Sequence, residues 1–184
     1  MTRRFFMQRF LAAFVLTMAV CGSSDAKDAT YRLTGDNTKL EWTGTKADGK
    51  HDGGFKKLSG TATRTNGGGL TIEVEIDCGS LYSDNEMLTQ HLKSPDFFAV
   101  KDHPKAKFKS TKIVKTSDGT QVTGELTLLG KTRKVSFPAQ IAEGDVLTVE
   151  GKFVINRQDF GMSYGKGKVN DEVEVRLDLN AKAK

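Results

Sequence analysis

The chain has 184 residues, 28% of them charged and 37% hydrophobic, a size and balance that suit one soluble domain burying roughly two-thirds of its unfolded surface. Its formal charge of +5 overstates the basic character, because Arg3, Arg4 and Arg9 lie in the first 26 residues with only Asp25 against them; without that segment the net is +3. Over residues 96–109 the lysines are interspersed with acidic residues, which argues against the concentrated basic face that nucleic-acid binding requires.

Residues 1–26 read as an export signal: basic up to Arg9, apolar over 10–20, then Ser24-Asp25-Ala26 with small residues at the two positions that a leader peptidase reads. The expected mature domain is therefore 27–184, in the periplasm. A rival reading takes Met18-Ala19-Val20-Cys21-Gly22 as a lipoprotein box that anchors the chain at Cys21. Thr2-Arg3-Arg4-Phe5-Phe6-Met7 resembles a twin-arginine motif, whose cargo crosses already folded. Either route leaves Cys78 without an internal disulfide partner, and its expected role is that of a small semi-buried residue.

From about Thr30 onward, apolar and polar residues alternate with a period of two. Leu70, Ile72, Val74 and Ile76 face one way and Thr71, Glu73, Glu75 and Asp77 the other, which is a strand with one wet face. The pattern recurs at Val122-Leu126-Leu128, Val135-Phe137-Ile141, Leu147-Val149-Phe153-Ile155 and Val173-Val175-Leu177-Leu179. Further strands are predicted over 31–34, 40–46, 55–65 and 106–115, giving about eight or nine. Glycine-containing turns at 66–69, 117–119, 130–131 and 143–145 are short, so neighbours are antiparallel. Many short antiparallel strands with one wet face must pack as two sheets or close into a barrel, and closure removes exposed edges.

Residues 83–93 break the rhythm with helix formers, Ser83 and Glu86 forming a capping-box signature and Ser94-Pro95 a stop. Phe97 and Phe98 follow where the chain re-enters the sheet; on an extended segment the two would not share one core. Gly60, Gly124 and Gly151 fall on inward-facing positions, where they either leave room for a ligand or mark bends, the commoner role. Aromatic residues Trp42, Phe55, Phe97, Phe98, Phe108 and Phe160 are candidates to line a tunnel or to fill an ordinary core.

The histidines are His51, His91 and His103, and no two stand at metal-ligand spacing. His91 either offers a donor to a polar headgroup or caps the end of its helix. No nucleophile elbow, phosphate-binding loop or paired-carboxylate motif is present, so no catalytic residue, metal or cofactor is assigned.

Several stretches carry a resemblance: Trp42-Thr43-Gly44-Thr45-Lys46, then Gly49-Lys50-His51-Asp52-Gly53-Gly54-Phe55 and Leu58-Ser59-Gly60; Asn85 followed by His91-Leu92-Lys93-Ser94-Pro95-Asp96-Phe97-Phe98 and His103-Pro104-Lys105-Ala106-Lys107-Phe108; Arg157-Gln158-Asp159-Phe160-Gly161-Met162; and Val169-Asn170-Asp171-Glu172-Val173. In order and spacing they resemble the YceI-like, polyisoprenoid-binding family. That resemblance implies an all-β, lipocalin-like antiparallel barrel of about eight strands with a short helical insertion. It implies non-enzymatic binding or transport of a long-chain isoprenoid or similar amphiphilic lipid in the barrel interior. Trp42, Phe55, Phe97, Phe98, Phe108 and Phe160 would then contact the tail, and Asn85, His91 and Arg157 the headgroup. Transient membrane contact and pairing into a homodimer are compatible with it. The alternatives are a lipid-modifying enzyme using His91 or His51 as base, and a ligand-free structural or stress-response module with a filled barrel.

Overall fold

The computed structural model describes residues 28–184; the expected export segment, the Cys21 anchor and the twin-arginine motif lie outside them. Eleven strand segments and one α-helix follow in order: β1 Ala29–Thr34, β2 Thr38–Lys46, β3 Gly49–Phe55, β4 Leu58–Arg64, β5 Leu70–Asp77, β6 Leu81–Ser83, α1 Glu86–Lys93, β7 Lys105–Thr116, β8 Gly119–Leu128, β9 Lys131–Ala142, β10 Val146–Asn156 and β11 Val169–Lys182. All eleven belong to one antiparallel sheet. Among the described residues no helix is long and apolar enough to cross a membrane.

Eleven segments stand where about eight strands were expected, and the pairing explains the difference. β1 and β2 pair with β4 and β3 respectively, and β4 and β3 in turn with β5 and β6. Each of the couples β1–β2, β3–β4 and β5–β6 is thus one long strand, kinked at 35–37, 56–57 and 78–80. Counted so, eight strands run as a meander. β11 pairs with β2, and Tyr31 of β1 bridges Ala183 just beyond β11, so the sheet returns on itself as a barrel. Kinks let a strand follow the wall of a small barrel, which a straight one of that length cannot.

The strand predicted over 55–65 is divided in the structure: Phe55 ends β3, and β4 begins at Leu58. β3 itself escaped prediction because Gly49-Lys50-His51-Asp52-Gly53-Gly54 has no alternation. Its glycines are needed for packing, since a Cβ at Gly53 would stand 2.3 Å from both the Trp42 ring and the Tyr82 carbonyl oxygen.

The inward glycines do not leave empty space. A Cβ on Gly60 would fall 2.1 Å from the carbonyl oxygen of Glu73, so this glycine serves the close approach of β4 to β5. At Gly124 the missing Cβ is replaced by the Phe108 ring, 2.5 Å from where it would be, opposite the register shift at 110–112. Gly151 faces the ring of Phe137.

Outside, the wet face of β5 meets β7 in register: Glu73 pairs with Lys109, and Glu75 with Lys105 and Lys107. Hydrogen bonding from Lys105, then from Lys107, holds the Glu75 carboxyl below the usual range.

The two ends of the barrel differ. The turns at 65–69, 117–118 and 143–145 close the lower end, where Tyr31, Leu33, Ala62, Leu147 and Ala181 are wholly buried and the Tyr31 hydroxyl donates to the Gly144 carbonyl at 2.6 Å. At the upper end stand the β2–β3 and β8–β9 turns, α1 with the segment to Pro104, and the connection 157–168. The lower half is filled by side chains and the upper half is hollow.

Candidate functional site

A cavity of about 190 Å³ occupies the upper half. Its wall is built from the inward positions of the strands, with Leu40, Val74, Leu126, Val135, Val175 and Leu177 typical, because alternate residues of every strand face in. Among its lining residues only Thr38, Glu41 and Arg157 are polar. On the measure that one water needs roughly 10–15 Å³ of such space, it has room for on the order of a dozen water-sized groups. Phe137 and Phe153 stack on its wall with centroids 4.2 Å apart, and Phe108 leans on Phe137 at 6.0 Å.

Six of the nine residues singled out in the sequence line this cavity: Trp42, Phe55, Phe97, Phe98, Phe108 and Arg157. Phe97 and Phe98 do so together, contrary to expectation, because their segment is a turn. The Phe97 N–H donates to Ser94 O, the Phe98 N–H donates to Leu92 O, and Ala99 takes a positive φ of 42°. Phe98 then meets Phe55 edge-on at 5.7 Å. Trp42 lies opposite Gly53 on the β2 wall, and its indole N–H is buried without a hydrogen-bond partner.

Phe160 is not on the wall. It is 2% exposed in the core, in the short 3₁₀ turn Arg157–Phe160 that follows β10. Asn85 is the N-cap of α1, its side-chain oxygen accepting from the Leu88 N–H at 2.9 Å. This corrects the expected start at Ser83. That residue is held in β6 by pairing with Gly53, so the helix begins after it, and its hydroxyl donates to Asn85 O and meets the Thr89 hydroxyl. Pro95 ends the helix as predicted, with Ser94 as C-cap.

His91 stands at the mouth, outside the cavity wall. Its Nε2 is 2.9 Å from Asp96 Oδ2, and its ring contacts Phe97 and Tyr164 with centroids 5.2 and 4.8 Å away. Tyr164, which the sequence reading did not single out, thereby ties the 157–168 connection to the segment after α1. His51 lies 3.0 Å from Asp84 on the exposed rim, and neither histidine lines the cavity. Among the described residues no group of three or more His, Cys, Asp or Glu side chains could hold a metal ion.

Arg157 is the one buried cation of the site, its side chain 3% exposed. Nε donates to Asn170 O at 3.0 Å; Nη1 to Met162 O at 2.6 Å and Tyr164 O at 2.8 Å; Nη2 to Val169 O at 3.1 Å and Asp171 Oδ1 at 3.3 Å. A guanidinium has five N–H groups, and five bonds engage them. Its donors therefore fix the connection that crosses the mouth, and a headgroup could reach one only by displacing a carbonyl.

Cys78, in the 3₁₀ turn between β5 and β6, is 1% exposed, and burial pushes its thiol up to about 11 from 9.0. The folded form keeps its proton where the unfolded one loses it, so stability is full below pH 9 and falls as pH rises from 9 to 11. Replacing Cys78 with alanine is expected to flatten that decline, a difference on the order of 2 kcal/mol. Parallel denaturant titrations of the two proteins at pH 8 and pH 11 measure it, and equal slopes would contradict the buried thiol.

Three comparisons bear on this arrangement. A UPF0312 protein of Pseudomonas aeruginosa is 29% identical over 190 residues, covering 94% of this chain and 97% of that protein. The crystal structure of Burkholderia cenocepacia BcnA superposes with a TM-score of 0.72 at 27% identity, over 79% of this chain and 96% of that one. A polyisoprenoid binding domain from Saccharophagus degradans, implicated in plant cell wall breakdown, has the same fold with a TM-score of 0.64 at 16% identity, over 86% and 100% of the two chains. Residues 31–181, nearly the whole barrel, match the YceI-like domain, and the chain belongs to that family.

Proposed function

We propose that the protein binds and carries a long-chain isoprenoid or similar amphiphilic lipid, with its tail in the upper half of the barrel and its polar end at the mouth. The observation that carries this reading is an apolar cavity inside a closed sheet, with the guanidinium that lines it already engaged by the protein. Each buried CH₂ contributes about 0.8 kcal/mol, so a tail filling space for on the order of a dozen carbons gains affinity without needing polar contacts. The Saccharophagus degradans domain supports the isoprenoid class by its name. The export segment expected over residues 1–26 would put the carrier in the periplasm.

The cavity volume sets a length. Prenyl alcohols of increasing size, added to protein stripped of lipid, should raise its melting temperature steeply up to roughly three isoprene units and little beyond. A complementary measurement is mass spectrometry of an organic extract from natively purified protein, where a stoichiometric prenyl or acyl species is expected. No shift with any alcohol and a blank extract would together overturn the proposal.

A further inference from the structure

The connection 161–168, Gly-Met-Ser-Tyr-Gly-Lys-Gly-Lys, crosses the mouth as a strap. Gly161, Gly165 and Gly167 take positive φ of 95°, 66° and 79°, which lets it fold back tightly between β10 and β11. Met162 is buried and lines the cavity, whereas Tyr164 is 47% exposed and Lys166 and Lys168 are exposed. The strap has no acidic residue.

Charges of both signs stand at each end of the barrel. The lower turns expose Asp118, Glu143 and Asp145, with Lys115, Lys182 and Lys184 exposed on the strand ends beside them. At the upper end Lys166 and Lys168 are joined by Lys131 of the β8–β9 turn. Acidic groups there include Asp48, Asp84, Glu86, Asp96, Asp102, Asp159, Asp171 and Glu172; Asp48 is paired with Lys46, Asp84 with His51, Asp96 with His91 and Asp171 with Arg157. The strap is thus the basic, part-apolar edge of the open end.

A carrier also faces a transfer problem. Each methylene drawn from the cavity into water reduces the population of the released state about fourfold, so a long tail leaves slowly unless the mouth meets an apolar phase. Tyrosine and lysine side by side suit the boundary of an anionic bilayer, the ring at headgroup level and the ammonium groups toward the phosphates.

We propose that the strap, through Tyr164, Lys166 and Lys168, docks on an anionic lipid bilayer and delivers the tail across the seam between Tyr164 and Phe97, whose rings are 5.3 Å apart. This rests on the lipid-carrier reading above. The test is sedimentation of the mature protein with phosphatidylcholine vesicles made with or without phosphatidylglycerol, alongside uptake of a prenyl alcohol in solution without vesicles.

Binding should require phosphatidylglycerol and weaken with salt. Lys166→Gln with Lys168→Gln should lower it about twenty- to thirtyfold, on the basis of about fivefold per lysine. The same variant should take up the alcohol like the parent, and Glu143→Gln with Asp145→Gln at the other end should leave vesicle binding no weaker. Equal binding to neutral vesicles, or an undiminished double-lysine variant, overturns the docking proposal while uptake in solution leaves the carrier reading standing. Absence of uptake by the parent overturns the carrier reading, and the docking proposal with it.

Discussion

Replacing Arg157 with methionine is expected to lower the stability of the fold by about 3 kcal/mol, because each buried carbonyl left without a donor costs on the order of 1 kcal/mol. Methionine approximates the length of the stem, so packing changes little, but four carbonyl oxygens lose their donor at once, while the half-exposed Asp171 keeps Gln158. Lysine would keep the charge and lose the fork; with three donors on one atom it cannot span Asn170, Met162, Tyr164 and Val169, so Arg157→Lys should recover less than half the loss. Chemical denaturation of the three proteins measures this. A loss below about 1 kcal/mol for methionine would mean that the strap is held by other contacts.

The second large effect concerns binding rather than folding. Val135 of β9 sits opposite Gly124 and faces the cavity. Val135→Phe adds about four carbons to the wall and takes that space from the tail, a loss of about 3 kcal/mol or roughly a hundredfold in affinity at about 0.8 kcal/mol per CH₂. Because the new ring enters a void, the fold should keep its stability or gain some. Titration with a prenyl alcohol and a melting curve on the same sample separate the two effects. Unchanged affinity would place the tail elsewhere.

Much of the barrel was legible because one of its faces is wet. Where Thr71, Glu73 and Glu75 alternate with Ile72, Val74 and Ile76, the facing of the strand follows from the residues alone, and the structure agrees. Alternation fails at β3, where Gly53 is demanded by the indole of Trp42 and the carbonyl of Tyr82; a residue chosen for what lies opposite it leaves no local signal. The helix start moved by two residues because Ser83 was claimed by strand pairing, a tertiary event that overrides a sound capping signature. The aromatic wall could be guessed from ring content, whereas Tyr164 could not: a tyrosine in a glycine-lysine loop reads as solvent-facing until His91 and Phe97 are brought under it. For Arg157 the motif drew attention to a residue that lines the cavity, but its partners, between Met162 and Asp171, carry no signal of their own in the sequence.

With Tyr31, Leu33 and Leu147 stoppering one end, the proposed cargo would enter and leave by a single door. Whatever eases departure must then ease arrival in equal measure, so the furnishings of that door set the pace of exchange, and the aromatic and aliphatic chamber behind it sets how much cargo is held at equilibrium.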